Sequence, residues 1–194
     1  MPIQTICIFC GSNSGNNEVY AETTRALVRA LAAAGIRIVF GGGKVGLMGV
    51  VAESAIKAGA HVIGVTPRQL LEREVVHKGL TELHVVESMH ERKVMMNNLA
   101  DAFIALTGGM GTLDEIFEVL TLTQLGVHRK ACGFLNVAGF YDRLMDFLDH
   151  AVDERFIRSE HRGMIVVETD PLRLLNGLQN WTMPEVSKWM DRKP

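Results

Sequence analysis

Short runs of consecutive apolar residues alternate along the chain with longer stretches in which apolar residues return every three or four positions. The runs cover residues 3–10, 36–42, 61–66, 82–87, 102–109, 131–137 and 163–168. They are rich in Val and Ile, as parallel strands buried on both faces are. The periodic stretches, 18–35, 46–60, 89–100, 113–126 and 140–156, predict amphipathic helices. In the first, Val19, Leu27, Leu31 and Ala34 share one side, and Gly35 stands where a helix-ending glycine is expected. Strands alternating with helices predict an α/β fold: a parallel sheet of about seven strands with crossover helices on both faces. Neither repeat, linker nor low-complexity segment interrupts the pattern, so residues 1–194 read as one domain. The tail, 184–194, reads as a short amphipathic end that docks Trp189 and Met190.

Ligands of such sheets bind beyond the carboxyl ends of the strands. Three glycine-rich turns fall there: CGSNSG after the first run, GGGKVGLMG after the second and TGGMGT after the fifth. Gly41, Gly43 and Gly46 spell a dinucleotide fingerprint. However, the turn follows the second strand, and the next strand ends without the acidic residue that would hold a ribose. Arg68 there leaves room only for a 2′-phosphate reading. The same turn lacks the Ser or Thr of an ATP-binding P-loop.

TGGMGT opens a helix expected from about Thr112. Glycines let a backbone approach an anion, and the free N–H groups and dipole of a first helical turn attract one. A phosphate monoester fits. So does a plain capping box, with Glu115 bonded back to the backbone of Thr112. The helix behind is apolar almost all round, through Leu113, Ile116, Phe117, Leu120, Leu122 and Leu125. One side packs on the sheet, and the side bearing Leu122 and Leu125 suggests an interface between two copies.

Residues 88–99 carry the second signal. Ser88 and Glu91 cap a helix on which Arg92 lies within about 40° of Met96 and Leu99. A cation on the apolar side, at the end where the macrodipole disfavours it, implies a carboxylate or phosphate partner. Lys93 beside it reads equally as a surface charge.

Composition narrows the functions available. A formal net charge of −2 offers no basic field for nucleic acid or an anionic membrane. No signal peptide or bilayer-length apolar run is seen, so a cytoplasmic location is expected. Cys7 and Cys10 form a C-x-x-C inside a strand, where they point to opposite faces; with Cys132 they read as core residues. The seven histidines lack metal-ligand spacing and no G-x-S-x-G elbow occurs, so neither a metal nor a serine nucleophile is expected. Ser12 and Ser14 read as hydroxyls offered to a ligand.

Taken together, SMHERK followed by ADAFIALTGGMGTLDE resembles the signature of the LOG (Lonely Guy) family, the cytokinin riboside 5′-monophosphate phosphoribohydrolases. FCGSNSG, VFGGGKVGLMG, GVTP and TQLGVHRKACGFLNVAGFYDRLMDFLD extend the resemblance over roughly residues 4–165. It implies a Rossmann-like fold, a homodimer, no cofactor, and hydrolysis of the N-glycosidic bond of an adenine-type nucleoside 5′-monophosphate to free base and ribose 5-phosphate. It implies Arg92 and Glu115 as catalytic residues. It further implies a substrate site that includes Gly11, Ser12, Met89, Lys93, Gly108, Gly109, Met110, Gly111 and Thr112. Thr107 departs from the family, which has Pro there. The family has also been labelled lysine decarboxylase, a chemistry requiring a pyridoxal phosphate lysine that the sequence does not reveal. Two alternatives stand beside this reading: a general AMP or purine nucleoside monophosphate nucleosidase, and a nucleotide-binding protein without turnover.

Overall fold

The structure, a computed structural model, describes residues 2–72 and 76–184; the proposed docking of Trp189 and Met190 lies outside them. The strands are β1 (Thr5–Phe9), β2 (Arg37–Phe40), β3 (Val62–Pro67), β4 (Glu82–Val86), β5 (Ala102–Ala105), β6 (Ala131–Leu135) and β7 (Ile165–Glu168). They form one sheet in the order β4-β3-β2-β1-β5-β6-β7, parallel at every pairing. All seven apolar runs are therefore strands. The helices are α1 (Val19–Ala33), α2 (Gly46–Lys57), α3 (Arg68–Glu72), α4 (Met89–Leu99), α5 (Met110–Gln124), α6 (Asp142–Asp153), α7 (Ser159–Arg162) and α8 (Pro171–Gln179).

Because strand side chains alternate, the sheet divides the core in two. On one face Ile6, Ile8, Ile38 and Ile104 meet α1 through Leu27 and Leu31, α2 through Leu47 and Val51, and α8 through Leu174 and Leu178. On the other, Cys7, Phe9, Val65 and Phe103 meet α4 through Met96, α5 through Ile116 and Val119, and α6 through Met145 and Leu148. Cys7 and Cys10 fall on opposite faces, and all three cysteines are free and buried, which pushes their thiols up. Gly35 adopts the left-handed conformation (φ +68°) that ends α1. Among the described residues no helix is long and apolar enough to cross a membrane.

Helix α8 escapes the periodicity reading, although its start is written in the sequence. Asp170 accepts hydrogen bonds from the N–H groups of Leu172 and Arg173, and Pro171 occupies the first turn. A correction concerns α5, which begins at Met110 rather than Thr112. Its N-cap is Gly109, and no side chain among the described residues caps it. Thr112 is instead inside the first turn and buried, packed against Gly108. The capping-box alternative fails because Thr112 lies inside the helix rather than at its N-cap, and Glu115 faces Arg92.

The strand order reverses between β1 and β5: the chain runs outward from β1 to β4, then returns to the other side of β1. Such a switch point separates the loops at the carboxyl ends and opens a crevice between them.

Candidate functional site

A cleft of about 500 Å³ occupies that switch point. The turn after β1 supplies Gly11, Ser12, Asn13, Ser14 and Gly15; the turn after β5 and the start of α5 supply Thr107 through Thr112, with Asp114 and Glu115 behind. Helix α4 contributes Met89 and Arg92. Two backbone bonds anchor the first loop, one to the turn after β5 and one to the start of α2. The Gly11 N–H donates to the Thr107 carbonyl (3.0 Å) and the Leu47 N–H donates to the Gly11 carbonyl (3.0 Å).

The glycines of TGGMGT differ in what demands them. A β-carbon on Gly108 would lie 2.1 Å from Thr112 Oγ1 and 2.9 Å from the Gly11 nitrogen, so packing fixes that residue. A β-carbon on Gly109 or Gly111 would meet no protein atom within 4 Å, and neither has a positive φ. Nothing in the fold itself requires glycine at these two positions. Both line the cleft, beside the uncapped N–H groups of the first turn of α5. Met110 projects at the mouth, 85% exposed.

Arg92 is 8% exposed. Its Nε donates to the Val65 carbonyl within β3 (3.0 Å), and its Nη1 lies 3.4 Å from Glu115 Oε1 and 3.9 Å from the Met89 sulfur. The partner that the sequence demanded for a cation on an apolar face is thus a carboxylate from α5, 23 residues further along. Ser88 accepts from the Glu91 N–H as expected (3.1 Å), while the Glu91 carboxylate accepts from the Glu87 N–H (3.0 Å). Burial raises the Glu115 carboxyl above its ordinary range, and the Arg92 charge pulls it part of the way back.

Lys93, expected in the substrate site, is not brought into this group. One residue on from Arg92, its side chain is turned away by the helical rotation. It pairs instead with Glu118 (2.5 Å) and Asp114 (3.3 Å), and is absent from the cleft lining. Those two carboxylates raise its pKa, chiefly through the bond to Glu118. Arg68, weighed for a 2′-phosphate, pairs with Glu87 (2.9 Å).

The other candidates, Gly11, Ser12, Met89, Arg92, Gly108, Gly109, Met110, Gly111, Thr112 and Glu115, all line the one cleft. Sequence reasoning missed Met48, the Val65 carbonyl and Phe140. Phe140 had a usable signal: it follows β6 through Ala138 and Gly139, both left-handed (φ 50° and 68°), a fourth turn at the same rim. Among the described residues, no group of three or more His, Cys, Asp or Glu is arranged to hold a metal ion.

A family model described as "Possible lysine decarboxylase" matches residues 48–178. The Arabidopsis thaliana protein named cytokinin riboside 5′-monophosphate phosphoribohydrolase LOG2 is 46% identical over 176 residues, which is 91% of this chain and 83% of that protein. The Oryza sativa subsp. japonica protein named cytokinin riboside 5′-monophosphate phosphoribohydrolase LOG is 44% identical over 192 residues, 97% of this chain and 79% of that one. Among solved structures, the molybdenum cofactor binding protein from Rippkaea orientalis matches with a TM-score of 0.69 at 20% identity, over 91% of this chain and 95% of that one. At that identity the likeness concerns the fold, which is Rossmann-like as expected. By its matched residues and its relatives, this chain belongs to the LOG (Lonely Guy) family.

Proposed function

We propose that the chain hydrolyses the N-glycosidic bond of a cytokinin-type nucleoside 5′-monophosphate, releasing the free base and ribose 5-phosphate. The observation that carries this reading is the pairing of two features in one cleft. Gly109 and Gly111, glycines that the fold does not require, lie beside an uncapped helix N-terminus. A buried Arg92–Glu115 pair closes the same cavity. The relatives' names supply the substrate class.

In this reading the 5′-phosphate sits on the N–H groups at the start of α5, where missing β-carbons let it approach. Glu115, about one helical turn further on, faces the ribose. Cleavage develops positive charge on the sugar, and a buried carboxylate stabilises that charge more strongly than water does. The same carboxylate orients the attacking water. Arg92 stays protonated, so its role is electrostatic and positional: it holds Glu115 and the substrate in register. Binding energy from the phosphate is spent on orienting a bond several atoms away.

Lysine decarboxylation fits the site poorly. Pyridoxal phosphate chemistry needs a Schiff-base lysine, and among the described residues lining the cleft there is no lysine.

The test is incubation with AMP and with N6-isopentenyl-AMP, with free base followed by chromatography. Base is expected from both, faster from the substituted nucleotide. Release from neither would leave a binding protein without turnover, and equal efficiency would leave a general nucleoside monophosphate nucleosidase. The protein acts as a homodimer, on the support of Val94, Leu125 and Val127, which are exposed along α4 and the end of α5. A monomer mass in solution at micromolar concentration would refute that.

A further inference from the structure

The turn GGGKVGLMG falls at the same rim as the other two glycine turns, yet of its glycines only Gly41 lines the cleft. Gly42 and Gly46 are left-handed (φ 74° and 57°), which explains them conformationally. Gly46 also abuts the first loop, where a β-carbon would lie 2.2 Å from the Ser12 carbonyl carbon. Gly41 has no positive φ, so its backbone would accept any residue. What forbids a side chain there is Arg92: a β-carbon on Gly41 would lie 2.0 Å from Nη2 and 3.1 Å from Cζ of the guanidinium.

The guanidinium cannot yield without loss. Nε is bonded to the Val65 carbonyl (3.0 Å), Nη1 faces Glu115 (3.4 Å), and Nη2 lies over Gly41. Met48 sulfur closes the remaining side, 3.3 Å from the same β-carbon position. The three nitrogens of one planar group are therefore each assigned to a different neighbour.

We propose that Gly41 is a positioning residue for the reaction: it leaves the space in which the Arg92 guanidinium lies flat, and so sets the Arg92–Glu115 geometry. On this view GGGKVGLMG is the seat of the cleft's arginine rather than a third phosphate loop. The proposal rests on the Arg92 and Glu115 roles described above. Because the atom that a new methyl meets is the free end of a side chain, Gly41→Ala folds and displaces Arg92.

A double-mutant cycle between Gly41→Ala and Arg92→Ala tests this, read by turnover of N6-isopentenyl-AMP and by thermal unfolding. Gly41→Ala is expected to lower kcat about 100-fold, the scale of a misplacement of roughly 1 Å, while KM moves less than about threefold. On the Arg92→Ala background the same substitution is expected to change kcat by less than about threefold, because the group it displaces is gone. The Tm loss from Gly41→Ala is likewise smaller on that background. Equal losses on both backgrounds would make Gly41 a purely structural glycine and overturn the proposal, as would an unchanged kcat. If Gly41→Ala does not fold, the double variant decides: a folded double variant upholds the clash, and an unfolded one refutes it. The thermal cycle reads the contact even if the wild type releases base from no nucleotide, so failure of the substrate reading stays distinguishable.

Discussion

Arg92 and Lys93 are adjacent cations on α4, and each reaches a carboxylate on α5, yet their surroundings differ. Arg92 is almost fully buried, is bonded to the Val65 carbonyl, and opens with Glu115 into a 500 Å³ cleft. Lys93 is held more tightly, 2.5 Å from Glu118, but outside that cleft. The shorter pair is the one that does not line the cleft. The longer contact, at 3.4 Å, leaves Glu115 with a raised pKa and access to the cavity. Distance alone would rank the pairs wrongly. What separates them is the space beside them and the helix N-terminus that shares it.

The largest effect that would break this contrast is at Glu115. Glu115→Gln keeps the shape and removes the charge, and is expected to lower kcat by about 10³-fold, the scale of losing one preorganised electrostatic group. Full activity in this variant would return Glu115 to a packing role. The raised carboxyl predicts a pH signature as well. The group must be ionised to face a developing cation, so kcat/KM falls as pH drops through its pKa in the free protein. That acid limb is displaced upward from the ordinary carboxylate value, and it vanishes from the residual activity of Glu115→Gln.

Next in size, Arg92→Ala is expected to cost about 10²-fold in kcat/KM, through lost positioning of Glu115 and substrate. Gly111→Ala sharpens the comparison from the phosphate side. Alanine replaces glycine within a helix, where its β-carbon meets no protein atom, so stability should rise by up to about 1 kcal/mol. The same methyl enters the anion site, and KM should rise about tenfold, which corresponds to about 1.4 kcal/mol of lost binding. Higher stability with an unchanged KM would remove Gly111 from the site. Smallest is Lys93→Ala, expected to change kcat/KM by less than about threefold and stability by less than about 1 kcal/mol, as partly exposed ion pairs do. A loss approaching that of Arg92→Ala would erase the distinction between the two cations.

Thr107 marks where the turn departs from the family it belongs to. Its carbonyl holds the first loop through the Gly11 N–H, a role that proline could fill equally, since proline lacks only the donor. Its hydroxyl is buried without a hydrogen-bond partner among the described residues. The anchoring bond is thus compatible with either residue, which is why the loop survives the exchange.

The seven strands, the two-sided burial of the sheet and the rim on which the glycine turns sit were legible in the chain, because strand and helix periodicities are local. So was the anomaly of Arg92, since its place on the apolar side of α4 follows from 100° per residue. The tertiary structure alone decided where those side chains end. It started α5 at Met110, and of the two readings open for Glu115 it set aside the capping bond and placed the carboxylate against Arg92. It sent Lys93 to Glu118, and it set Gly41 beneath a guanidinium 51 residues further along the chain. The physical reason is that capping, pairing and steric room depend on neighbours that the strand order brings together. A reversal of that order at β1 places β2, β3 and β5 around one crevice, and no local pattern in the sequence carries that distance.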